Sequence, residues 1–141
     1  MPALLPAAEA VAGNPAAALV VLFALVIGHA LCDFALQPEF MAIGKNRHAN
    51  LSKFFGEKAP PSGVWVHALA AHCLIHAGAV WLLTGSVLLG AVEFVLHTII
   101  DFIKCEGKTS FDADQYLHYA CKLLYIAALY LGCSCLTWSP A

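Results

Sequence analysis

The chain has 141 residues, 61% of them apolar and only 11% charged, with a mean hydropathy of +0.78. Soluble domains are about a quarter charged, so this composition excludes a chain that covers a water-facing surface with polar side chains and predicts an integral membrane protein. The net charge of −2 excludes the basic surplus of a nucleic-acid binder, and four spans of roughly 20 residues each would leave no room for a separate soluble catalytic domain.

In chain order, residues 1–15 form a tail rich in Ala and Pro at the interface. It holds Glu9 but no Lys or Arg, so it lacks the basic start of a signal peptide, and the apolar run after Pro15 is expected to stay as a span. That first span is expected over 16–36, ended by Gln37-Pro38-Glu39. Residues 38–63 hold Lys45, Arg47, His48, Lys53 and Lys58, with Phe40, Ile43, Leu51, Phe54 and Phe55 at roughly helical spacing. This pattern predicts an amphipathic helix lying on the membrane up to Pro60-Pro61, with His48 solvated. The second span is expected over 64–83, followed by a tight turn at Thr84-Gly85-Ser86. The third is expected over 87–103, followed by a polar loop with Lys104 and Lys108, and the fourth over 114–138, with Asp112 capping its start. Trp65, Trp81 and Trp138 fall near span ends, as an aromatic belt would have them.

The expected fold class is therefore all-α: one membrane domain over 1–141, an integral four-helix bundle with an interfacial segment between its first two helices. Lys and Arg gather in the loops after the first and third spans and are absent from both tails and the 84–86 turn. Both basic loops are thus expected in the cytoplasm and both termini on the opposite side of a cytoplasmic membrane. The six cysteines include no CxxC pair and read as packing residues, including Cys32 and Cys121, which each fall three positions after a span histidine.

Ionisable residues inside spans are costly and point to function. Here they pair: His29 with Asp33, His72 with His76, His97 with Asp101, and Asp114 with His118. Every pair is spaced i, i+4, which puts both side chains on one helix face. Spans one and three descend towards the cytoplasm and read His-x-x-x-Asp, whereas ascending span four reads Asp-x-x-x-His. In all three the carboxylate therefore lies nearer the cytoplasm and the histidine one turn deeper. Glu93 and Lys122 each lie two turns, about 12 Å, beyond Asp101 and Asp114 and should share a depth, which predicts an intramembrane ion pair.

Neutral imidazole and carboxylate together suit a divalent metal, zinc first, with iron or manganese as alternatives. The candidate ligands are His29, Asp33, His72, His76, His97, Asp101, Asp114 and His118, enough for one metal with supporting partners or for two metals. Gln37 and Gln115 are placed to hydrogen-bond the carboxylates. His67, about 140° around its helix from His72, is a weaker supporting candidate. The competing reading is a hydrogen-bonded polar core that glues the helices together. HALCDF at 29–34 and HTIIDF at 97–102 share His-x-x-x-Asp-Phe, a hint of two related hairpins.

These residues resemble a family of small bacterial and phage multi-pass membrane proteins known only as domain-of-unknown-function family 3307. The resemblance rests on His29-x-x-x-Asp33-Phe34-x-x-Gln37, Met41-Ala42-x-x-Lys45, His67 with His72 and His76, His97-x-x-x-Asp101-x-x-Lys104, and Asp114-Gln115-x-x-His118. It implies a bacterial or phage origin and a membrane location, and supplies no activity.

Three functions compete on the residues. One is a membrane-embedded metal-dependent hydrolase acting on a lipid-like substrate, with Asp33 or Asp101 as general base. Another is a metal-ion or proton transport component, which four spans would build only as a homo-oligomer. The last is a non-catalytic subunit of a larger membrane complex, its cluster a polar core or a haem site held by two histidines.

Overall fold

In a computed structural model the described residues, 8–133 and Leu136, are all-helical. α1 spans Ala8–Val11, α2 Pro15–Ala30, α3 Glu39–Gly44, α4 Ser52–Phe55, α5 Val64–Thr84, α6 Val87–Cys105 and α7 Phe111–Tyr130. α2 runs on without a break into a π-helical turn at Leu31–Ala35. Each long helix starts and stops on local chemistry. Asn14 caps α2 by accepting from the Ala17 amide, with Pro15 in the first turn. The α5–α6 turn needs Gly85 at a φ of 72°, after which the Ser86 hydroxyl accepts from the Leu89 amide.

α2, α5, α6 and α7 pack side by side in a ring, α2 against α5, α5 against α6, α6 against α7 and α7 against α2. α5 and α6 approach closely at Gly90, where a Cβ would stand 2.9 Å from the Ala77 carbonyl oxygen. Val21, Leu25, Val80, Leu89, Ile126 and Leu129 fill the half of the ring nearer the 84–86 turn. The outward faces are apolar throughout: Phe23, Phe34, Leu74, Leu82, Val95, Ile99, Leu123 and Leu124 are all exposed.

Several expectations need correction. By length and composition, two helices among the described residues are long and apolar enough to cross a membrane, Pro15–Ala35 and Val64–Thr84. α6 and α7 carry Glu93, Asp101 and Lys104, and Asp112, Asp114 and Lys122, and these charges lower their hydropathy. The interfacial segment is two short helices, not one. Asn46 and Asn50 accept from the His48 and Ser52 amides and turn the chain between α3 and α4. α3 thereby folds back against α5.

The fourth long helix begins at Phe111, capped by the Ser110 hydroxyl on the Ala113 amide, so Asp112 lies inside the first turn and does not cap it. That helix ends at Tyr130 instead of reaching 138. Gly132, at a φ of 70°, lets its own and the Cys133 amide close back on Leu129 and Ala128. Trp65 and Trp81 stand at opposite ends of α5, while Trp138 lies outside the described residues. The segment just before α2 packs on α7: Val11 is buried, and the Gly13 amide donates to the Tyr130 carbonyl at 3.0 Å.

Candidate metal centre

The 3.6-residue period brings His72 and His76 of α5, Glu93, His97 and Asp101 of α6, and Asp114, His118 and Lys122 of α7 onto inward faces. All eight are buried to about a hundredth exposure or less. Four donor atoms, one each from Asp33, His72, His76 and His97, lie within 4.8 Å of one another. Asp33 Oδ1 stands 3.4 Å from His72 Nε2 and 3.9 Å from His76 Nε2. His72 Nε2 faces His97 Nε2 at 3.2 Å. Two ligands held at zinc-like bond lengths in a tetrahedron are about 3.4 Å apart, so these gaps are those of donors gathered round one cation.

Hydrogen-bond logic decides which ring nitrogens are free. Glu93 can only accept, so His97 Nδ1, 3.0 Å from Glu93 Oε1, carries the proton and leaves Nε2 a bare lone pair. With its amide turned so that both ends are satisfied, Gln37 donates to the Asp33 carbonyl at 3.0 Å and accepts from Lys45 Nζ at 2.8 Å and from His72 Nδ1 at 3.2 Å. His72 Nε2 then lies 3.2 Å from the His97 lone pair and 3.3 and 3.4 Å from Asp101 Oδ2 and Asp33 Oδ1. His76 Nε2 has no hydrogen-bond partner among the described residues.

Asp101, Asp114 and His118 form a neighbouring group, with His118 Nε2 3.6 Å from Asp101 Oδ1 and 3.7 Å from Asp114 Oδ1. Glu93, His97 and His118 also come within ligand reach of one another. Towards the 84–86 end, Lys122 Nζ donates to Glu93 Oε1 at 2.6 Å and the Tyr125 hydroxyl donates to Glu93 Oε2 at 2.8 Å. At the other end, Gln115 Nε2 donates to Asp33 Oδ2 at 2.7 Å.

Two of the residues read from sequence stand apart. His29 packs against the cluster, 5.1 Å from both the His76 and the His118 rings, but belongs to none of the donor groups. A π-helical turn at 31–35 carries Asp33, and Gln115 joins both residues, donating to Asp33 Oδ2. His29 Nε2 meets Gln115 Oε1 at 3.4 Å. His67 is no supporting residue: it is exposed and lines a groove with Phe40, Met41, Gly63 and Ala68. The offset of five positions from His72 turns it away from the bundle centre.

The sequence reading assigned no role to two lysines that complete the cluster. Lys45, buried, donates to Asp101 Oδ2 at 2.6 Å, and Lys104 donates to Asp114 Oδ2 at 2.7 Å. Their only sequence signal is a place beside the motif residues, three positions after Asp101 for Lys104 and four after Met41 for Lys45. Lys45 is delivered by the fold-back of α3. That fold-back is pinned outside the bundle by Arg47, whose two bonds to Glu106 at 2.8 Å hold the Glu106 carboxyl below its ordinary range. His48 joins the same carboxylate at 3.0 Å.

Comparison with curated proteins and with solved structures finds no match. A family model described as "Protein of unknown function (DUF3307)" matches residues 21–139, the stretch that carries every one of these donors, and the chain belongs to that family.

Proposed function

We propose that the chain is a four-span membrane protein holding a divalent metal ion, zinc first, among Asp33, His72, His76 and His97, and using it in hydrolysis at the basic-loop face. The observation that carries the reading is the convergence of donors on one orphaned nitrogen. His76 Nε2 is buried with no hydrogen-bond partner among the described residues, and donor atoms of His72, His97 and Asp33 lie within 4.8 Å of one another and of His76. A purely structural polar core would satisfy such an atom. Three imidazoles and a carboxylate gathered round one point suit a cation, and this donor chemistry suits zinc. Haem is disfavoured, because imidazoles with ring centroids 3.8 to 5.1 Å apart fill the space a porphyrin needs.

Four spans are supported by where the charges of α6 and α7 go. Glu93, Asp101, Asp114 and Lys122 are buried inside the ring, each carboxylate on a lysine, while Val95, Ile99, Leu123 and Leu124 face outward. Such an inward-charged, outward-apolar helix is what a bilayer tolerates. The basic loops are then cytoplasmic, in the inner membrane of a bacterium. Single cysteines at Asn50→Cys and Lys108→Cys are expected to react with a membrane-impermeant maleimide from one side, and Val87→Cys from the other. If only α2 and α5 crossed, Asn50→Cys and Lys108→Cys would label from opposite sides.

Hydrolysis is favoured over transport because the cluster opens at one end. Asp33 and Lys104 keep some exposure at the basic-loop end, whereas Glu93, Lys122 and Tyr125 close the other end beneath an apolar layer. A transport path would need both ends open. When bound, the metal would supply an activated water. The test is elemental analysis of protein purified without chelator or affinity metal. At least one equivalent of zinc, iron or manganese is expected, lost in an Asp33→Ala/His76→Ala variant, and metal-free wild type would refute the reading. Cleavage of ester-linked lipids in metal-loaded proteoliposomes, abolished in the same variant, tests the hydrolytic arm.

A further inference from the structure

We infer a second, weaker cation site formed by Asp101, Asp114 and His118, joined to the first through Asp101 so that the loaded protein holds a metal pair. The inference rests on the metal reading above and extends it. Two buried atoms of this group, Asp114 Oδ1 and His118 Nε2, have no hydrogen-bond partner among the described residues. His118 Nε2 stands 3.6 Å from Asp101 Oδ1 and 3.7 Å from Asp114 Oδ1, too long for a hydrogen bond and suited to shared coordination, and donor atoms of all three residues lie within 4.8 Å of one another.

Each carboxylate carries a lysine, Lys45 on Asp101 Oδ2 and Lys104 on Asp114 Oδ2, which fixes its direction. Asp101 also reaches the first group, its Oδ2 lying 3.3 Å from His72 Nε2 and 3.9 Å from His97 Nε2, while its Oδ1 faces His118. One carboxylate facing two donor groups with its two oxygens is the arrangement of a bridging ligand, as in two-metal hydrolytic sites.

The two groups differ in a way that assigns their roles. The first offers four donors, one of them a carboxylate with no lysine on it, which makes it the tighter site. The second offers three donors, Asp101, Asp114 and His118, whose negative charge the lysines already offset. A dication there would be the more weakly held of the two and would have room for a further oxygen ligand.

The test is a Mn²⁺ titration of chelator-stripped, detergent-solubilised protein, followed by metal analysis and electron paramagnetic resonance. Two equivalents are expected, the second binding more weakly and converting the six-line signal of an isolated ion into that of an exchange-coupled pair. Asp114→Ala and, as a milder change, His118→Gln are each expected to retain one equivalent with an uncoupled signal. One equivalent in the wild type overturns the second site and leaves the first reading standing. No bound Mn²⁺ or Zn²⁺ overturns both. Two equivalents that never couple overturn the bridge through Asp101.

Discussion

Replacing Lys122 by Met is expected to destabilise the protein by about 3–5 kcal/mol, because it leaves the Glu93 carboxylate charged, buried and short of its strongest partner. Lys122 and Glu93 are each about 1% exposed, and only the Tyr125 hydroxyl and His97 would remain on that carboxylate. The double change Glu93→Gln/Lys122→Met removes both charges at nearly constant volume and is expected to recover most of the loss. Recovery of the fold should not recover the metal. Glu93 fixes the His97 proton on Nδ1 and makes the ring more basic, and loss of such a carboxylate lowers metal affinity by about 10–100-fold. Unfolding titrations in mixed micelles and competition against a chelator read the two effects separately. A Lys122→Met protein as stable as the wild type would remove the pair from the energetics. A double variant with undiminished metal affinity would remove Glu93 from the centre.

Metal loading is expected to raise the unfolding free energy by about 4 kcal/mol when free zinc stands at a thousand times its dissociation constant, and excess chelator should abolish the gain. The donor atoms come from three helices distant in sequence, Asp33 after α2, His72 and His76 on α5, and His97 on α6, so the site exists only in the folded state and binding is linked to folding. His76 isolates the effect. Its Nε2 makes no hydrogen bond, so His76→Ala is expected to erase the metal-dependent gain with a far smaller change in the stripped protein. Coincident unfolding curves with and without zinc would show that the cluster binds no ion that matters to the fold.

The legible part of this molecule was whatever depends on helix period and direction. His72 with His76, His97 with Asp101, and Asp114 with His118 share inward faces because i, i+4 spacing dictates it. The two-turn offsets of Glu93 and Lys122 place them at one depth, where they lie 2.6 Å apart. What the spacing could not give were departures from a uniform α-helix and contacts made by chain reversal. The π-helical turn at Leu31–Ala35 carries Asp33 to the His72, His76 and His97 group while His29 belongs to no donor group, and nothing in the composition of LCDFA marks it. Lys45 reads as one more cation of a basic loop until the turn at Asn46 is known to fold α3 onto α5. The end of α7 was set by Gly132 rather than by hydropathy, which continues past it.

The pairing of charges between the last two long helices bears on how the protein is made. α2 and α5 are apolar enough to enter a bilayer one at a time, whereas α6 and α7, taken singly, would each bring several uncompensated charges into lipid. Two of their charge pairs close within the hairpin, Glu93 of α6 with Lys122 of α7 and Lys104 of α6 with Asp114 of α7, while Asp101 finds Lys45 from the α3 region. The short connection from Glu106 to Ser110 lets both bridges close as soon as the second helix is synthesised. On the four-span reading, biogenesis is expected to run in two stages, an apolar pair inserted sequentially and a largely paired hairpin delivered against it, with Asp101 meeting Lys45 and the candidate ligands meeting one another only at the second stage.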